Sequence, residues 1–170
     1  MYGGATAFLF GRRTYEIFAR SSGAIPEMST SPIGAALNGR PKYVVSTSLT
    51  DPQWAGTTVL TGDVAAAVRD LKTHQDGELL VPGSGVLVRW LLANDLVDQL
   101  NLITFPVVVG QGTRLFPDSG PDTALDLVNS RTTSRGITIQ TYRPAGRPEY
   151  ATSTVDPEHV MRDATSGRRS

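Results

Sequence analysis

Three short segments combine residue types and positions suited to holding an anionic ligand. Gly11, Arg12, Arg13 and Thr14 follow the apolar run Ala7 to Phe10 and open a helical pattern. Backbone N–H groups, the positive end of a helix dipole and two forked guanidinium groups would meet at that turn and could face a phosphate. Ser46, Thr47 and Ser48 end a second apolar run, Tyr43 to Val45. Short hydroxyl side chains at a strand end reach ligand oxygens, such as those of a ribose phosphate, at small entropic cost. Pro82, Gly83, Ser84, Gly85 and Val86 follow a third run, Glu78 to Val81. Two glycines there permit positive φ and close backbone approach, and a helix starting near Ser84 or Gly85 would aim its N–H groups at a pyrophosphate. The first two segments have plainer counterparts: a glycine turn with two solvated arginines, and hydroxyls that form turns for local reasons. All three lie at the C-terminal ends of predicted strands, the rim where open α/β sheets bind ligands. The third lacks the full GxGxxG spacing with a later acidic residue, which disfavours a conventional Rossmann site.

The elements that would position these turns alternate. A strand ends at Gly11 and a helix spans Arg13 to about Arg20, whereas Ser21 to Ser31, rich in Ser, Gly and Pro, reads as loop, with a short helix at Ile33 to Leu37. Tyr43 to Val45 and Thr57 to Leu60 read as strands, and Gly62 and Asp63 cap a helix in which Val64, Ala67, Val68 and Leu71 recur at helical spacing. Glu78 to Val81, the glycine turn and an apolar helix Val86 to Ala93 repeat the pattern, which implies parallel strands with helices on both faces. Asp98 to Val109 is a long β-prone stretch broken near Pro106, and Leu125 to Val128 and Ile137 to Tyr142 add strands without intervening helices, so an antiparallel ending is expected. The domain is expected to span residues 1–144, and residues 145–170, almost devoid of large apolar side chains, read as a mobile polar tail.

With 170 residues the chain fits one domain. Sixteen basic and sixteen acidic residues cancel, so no global field favours nucleic acid or an anionic membrane. There is no cysteine, hence no disulfide and no thiolate chemistry, and the chain reads as soluble and cytoplasmic. His74 and His159 have no metal-site spacing, and Glu16, Asp98 and Asp118 read as solvated or capping carboxylates, so no metal and no proton donor is identified.

In order, GRRTYE, PKYVVSTSLTD, LLVPGSGVLVRWLL, LVDQLNLITFPVVVGQGTRLFPD and ITIQTYRP resemble the dihydrofolate reductase family protein group, related to the reductase domain of bacterial riboflavin-biosynthesis deaminase-reductases. The match runs from about Ala5 to Pro144. It implies an α/β fold: an eight-stranded, mostly parallel sheet flanked by helices, with antiparallel C-terminal strands, binding NADPH across its rim. By that resemblance Gly11 to Thr14 form the phosphate-side turn, with Arg12 the 2′-phosphate partner. Ser46 to Ser48 form the adenosine-ribose side, and Gly83, Ser84, Gly85, Val86 and Leu87 form the turn over the pyrophosphate and nicotinamide half. Pro82 departs from the pattern and removes one donor N–H. Phe105 and Pro106, with Val107, Gly110, Gly112, Leu115 and Phe116, match a segment that flanks nicotinamide and substrate, though a core strand and turn explain them equally.

Relatives carry an earlier strand, loop and helix. The resemblance implies that this strand lies between the one at Glu78 to Val81 and the one at Asp98 to Phe105, so its absence would leave two internal edges. An upstream start codon, a strand donated by a partner chain, or a remodelled sheet would each account for that. The expected function is therefore NADPH-dependent reduction of a small heterocyclic molecule, pterin-like or riboflavin-pathway-like, by a homodimer. The alternatives are a catalytically inactive nucleotide-binding module and a structural dimerisation domain.

Overall fold

The computed structural model describes residues 2–74, 76–116 and 122–150; Asp118, His159 and residues 151–170 lie outside them. In chain order the elements are β1 (Ala5–Gly11), α1 (Arg12–Ser21), α2 (Pro26–Ser29), α3 (Pro32–Gly39), β2 (Lys42–Val45), β3 (Thr57–Leu60), α4 (Val64–His74), β4 (Glu78–Leu80), α5 (Gly85–Ala93), β5 (Leu100–Thr104), β6 (Leu125–Thr132) and β7 (Thr138–Pro144).

β1 is an inner strand of a parallel sheet ordered β3-β2-β1-β4. Its sequence, ATAFLFG, is apolar on both faces because both faces are covered. Phe8 and Phe10 point into a cluster with Tyr15, Leu37, Val44 and Trp54, while Leu9 points the other way, to Val68, Leu87, Leu91 and Leu96. Full burial of each such side chain stabilises the fold by about 1.5–3 kcal/mol, which makes β1 the spine of the molecule. The first cluster is an aromatic stack: Phe10 lies 5.6 Å from Phe18 and 6.1 Å from Trp54 by ring centroid.

One cation enters this core. Lys42 is fully buried, and its Nζ donates to the carbonyls of Leu37 at 2.9 Å and Arg40 at 2.8 Å while sitting 4.9 Å from the Trp54 ring. Burial pushes its pKa down. The carbonyls and the ring face, each favouring positive charge, compensate that desolvation and tie the end of α3 to the start of β2.

The antiparallel ending forms a separate three-stranded sheet, β5-β7-β6. Here the structure corrects the expectation of one continuous sheet. Among the described residues β4 pairs only with β1 and β5 only with β7, and residues of β4 and β5 line a common cleft of about 620 Å3. This division falls at the position where the family resemblance implied two internal edges. Two smaller corrections concern local chemistry. The stretch read as loop contains α2, which starts at Pro26 in the first-turn position where proline is tolerated. The long β-prone stretch yields only β5, because Pro106 cannot donate to a ladder and Val107 to Val109 leave the sheet exposed. Beyond β7, the backbones of Ala145 and Gly146 pair with Ala124, and Asp122 accepts hydrogen bonds from Arg147 and Tyr150. The Tyr150 hydroxyl beside it holds Asp122 below the usual carboxylate range, and Tyr150 is pushed up in turn.

Candidate functional site

From β1 the chain moves outward through β2 to β3, then returns through α4 to place β4 on the opposite side of β1. The sheet therefore has its topological switch point between β1 and β4, and the crevice beyond their C-terminal ends is where such sheets take ligands. A cleft of about 1120 Å3 opens there, lined by Gly11 to Thr14 after β1 and by Gly83 to Leu87 after β4. It extends past Val45 to Gly62, Asp63, Val64 and Ala65, and it is closed on one side by Trp90 and Thr113 to Leu115.

Three helices begin at this cleft: α1 at Arg12, α4 at Val64 and α5 at Gly85. Each contributes first-turn N–H groups and the positive end of its dipole. The charged lining is three arginines, Arg12, Arg13 and Arg114, against one carboxylate, Asp63, and that carboxylate caps α4 by accepting the Ala66 N–H at 3.0 Å. The combination could hold an anion with more than one charge. Arg12 is held by Glu16 at 2.8 Å, an exposed pair one helical turn apart that contributes little to stability but fixes the guanidinium's direction. Arg13 is exposed and makes no ion pair among the described residues. The turn after β4 favours its glycine because Gly83 has φ +61°, a left-handed conformation that a side chain would strain.

The structure thus brings together two of the three segments singled out in the sequence. Gly11, Arg12, Arg13 and Thr14 share one cleft with Gly83, Ser84, Gly85, Val86 and Leu87. Ser46, Thr47 and Ser48 lie on the same rim, one residue past Val45, but do not line the cleft. The Ser46 hydroxyl is buried and accepts the N–H groups of Ser48 and Leu49, the local turn-forming role, whereas Thr47 and Ser48 are exposed. Phe105 and Pro106 are exposed and line neither cleft, and Pro106 packs near Gly136 of the β6–β7 turn. Sequence reasoning missed Gly62, Asp63 and Arg114. The signal for the first two was present, since Gly-Asp opening a helix directly after a strand is the same strand-end arrangement that marked the other turns.

The two clefts meet. Gly83 and Leu115 line both the switch-point cleft and the gap between the sheets. The inner cleft carries Lys72 and Asp98, an ion pair at 2.7 Å, and Tyr2, whose pKa burial raises.

Comparison with known proteins places this architecture. The fold is similar to the solved structure of a protein described as a candidate riboflavin biosynthesis protein from Shewanella sp. PV-4, with a TM-score of 0.68 and 21% identity over 85% of this chain and 76% of that one. It is also similar to a pyrimidine reductase-like protein from Corynebacterium diphtheriae, with a TM-score of 0.56 and 15% identity over 83% of this chain and 76% of that one. Among curated proteins, the uncharacterized protein YyaP of Bacillus subtilis (strain 168) is 26% identical over 131 residues, 76% of this chain and 69% of its own length. The sequence model of the RibD C-terminal domain matches residues 1–139. This chain, with its split α/β sheet and a switch-point cleft ringed by helix N-termini, belongs to the RibD C-terminal domain family.

Proposed function

We propose that this chain is an NADPH-dependent reductase that delivers a hydride to a small heterocyclic substrate, pterin-like or of the riboflavin-pathway type. One observation carries the proposal: three helix N-termini and three arginines converge on a single cleft of about 1120 Å3 at the switch point of the sheet. The backbone N–H groups of Arg12, Arg13 and Thr14 and those of Gly85 to Leu87 would hold the phosphates of a dinucleotide. Arg13 is the guanidinium open to them, and Arg12, steadied by Glu16, would meet the 2′-phosphate. The exposed hydroxyls of Thr47 and Ser48 would serve the adenosine ribose. A bound nicotinamide supplies the hydride; the residues of the cleft supply position and exclude water. The substrate would sit where the two clefts join, beside Gly83 and Leu115. The descriptions of the two solved relatives agree with this substrate class.

Trp90 lines the cleft, so NADPH is expected to quench its emission in the wild type and not in Trp90→Phe. NADPH should also raise the melting temperature more than NADH does. Arg12→Ala should weaken NADPH binding and leave NADH nearly unchanged, because only NADPH offers the extra phosphate. No quench and no thermal shift at millimolar NADPH would defeat the assignment.

A second reading, a nucleotide-binding module without turnover, is favoured by one observation. Among the described residues the only carboxylate lining the nucleotide cleft is Asp63, which is engaged as a helix cap. Binding without loss of nicotinamide absorbance in the presence of dihydrofolate or a pyrimidine ribosylamine would select it. A homodimer belongs to the same proposal: Phe105, Val107, Val108 and Val109 form one exposed apolar segment on the antiparallel half, of a kind that a partner copy covers.

A further inference from the structure

Two other helices are capped conventionally. Ser31 accepts the Gly34 N–H at 3.0 Å ahead of α3, and Asp63 accepts the Ala66 N–H at 3.0 Å ahead of α4. Ser84 holds the same position ahead of α5, where serine ordinarily turns its hydroxyl onto the N–H two or three residues on. It makes no such bond. Its Oγ instead accepts the backbone N–H of Gly11 at 3.0 Å, across 73 residues of sequence, and leans on the Pro82 carbonyl at 3.4 Å. Its backbone sits at φ 54°, ψ 49°, the left-handed region that glycine enters freely and serine does not. Gly11, at the N-cap of α1, has no side chain with which to cap that helix. Both α1 and α5 therefore start uncapped at the same cleft, joined to each other by one hydroxyl. A residue kept in an unfavourable conformation, with its side chain diverted from the local bond, is characteristic of ligand clamps.

We propose that Ser84 is a positioning residue: its hydroxyl clasps the N-terminus of α1 to that of α5, so that the free first-turn N–H groups of both helices converge on one pyrophosphate. The proposal rests on the nucleotide-binding assignment of the cleft. Glycine is the residue the backbone geometry at position 84 favours, and the hydroxyl is what glycine lacks, so two variants separate the contributions. Ser84→Ala loses the hydroxyl and keeps the strain; Ser84→Gly loses both.

The test measures NADPH, NADH and ADP binding to the full chain, together with melting temperature and the hydrogen-exchange rate of the Gly11 amide. Both variants are expected to bind all three ligands about tenfold more weakly, the scale of one hydrogen bond to a charged network, with the NADPH-to-NADH ratio unchanged. Ser84→Gly should melt at or above the wild-type temperature, which a merely structural role would not combine with weaker binding. The Gly11 amide should exchange about tenfold faster in either variant without any ligand. Wild-type affinity in Ser84→Gly, or a change confined to NADPH, overturns the clasp while leaving the nucleotide assignment intact. If the wild type binds none of the three ligands, the nucleotide assignment fails, and the ligand-positioning role of Ser84 fails with it. Unchanged Gly11 exchange overturns the clasp in every case.

Discussion

The four-stranded half and the three-stranded half of this molecule treat apolar side chains in opposite ways. In the parallel half, β1 is sandwiched between α1 and α3 on one face and α4 and α5 on the other, and Phe8, Leu9 and Phe10 are fully buried. In the antiparallel half, among the described residues, no helix packs closely on the sheet, and Ile103, Phe105, Leu127 and Val128 are about half exposed, with Val108 almost wholly so. The cleft at the switch point belongs to the first half, and among the described residues only Thr113 to Leu115 line it from beyond α5. Rigidity and ligand geometry thus coincide: the helix N-termini are aimed by the part of the chain whose core is complete, as a preorganised anion site requires.

Substitutions can break or sharpen that contrast. The largest effect is expected from Phe10→Ala, which opens a cavity among Tyr15, Phe18 and Trp54 and should cost about 3–5 kcal/mol, whereas Phe105→Ala should cost less than about 0.5 kcal/mol. Urea midpoints measure both, and comparable losses would contradict the division into a finished and an unfinished half. Next comes Lys42→Met. Removing the ammonium leaves carbonyls at the end of α3 buried without a donor, for about 1–3 kcal/mol by the same assay. Arg13→Ala should leave stability nearly untouched but weaken NADPH and NADH alike by roughly tenfold, since in the proposed assignment its partner is a phosphate common to both. A selective loss of NADPH would assign the 2′-phosphate to Arg13 instead of Arg12. Smallest in stability is Val108→Asp, expected within about 0.5 kcal/mol; its effect should appear in sedimentation, as a shift from the proposed dimer to monomer.

Much of the parallel half was legible because its signals are local. Thr57–Leu60 is a strand with the bounds its β-branched run implied, and the Gly-Asp cap marks the start of α4. The glycine turn and the Gly-Arg-Arg-Thr turn announced themselves through strand-end position, and they share the cleft. Less visible were relations set by tertiary context. Nothing in Ser46 distinguishes a ligand hydroxyl from one already bonded to Ser48 and Leu49. Ser84 reads as an ordinary N-cap until the fold brings Gly11 beside it. Pro106 marked the break, but whether Val107 to Val109 resume pairing after it depends on partners that β-propensity does not specify.

Lys42 has one further consequence. The chain contains two lysines, Lys42 and Lys72, and the first is fully buried while the side chain of the second is 29% exposed. An amine-reactive reagent should acylate Lys72 in the native protein but reach Lys42 only when the aromatic cluster comes apart. Mass spectrometry of the two modified peptides would then serve as an internal clock, one site timing surface chemistry and the other counting global openings of the chain.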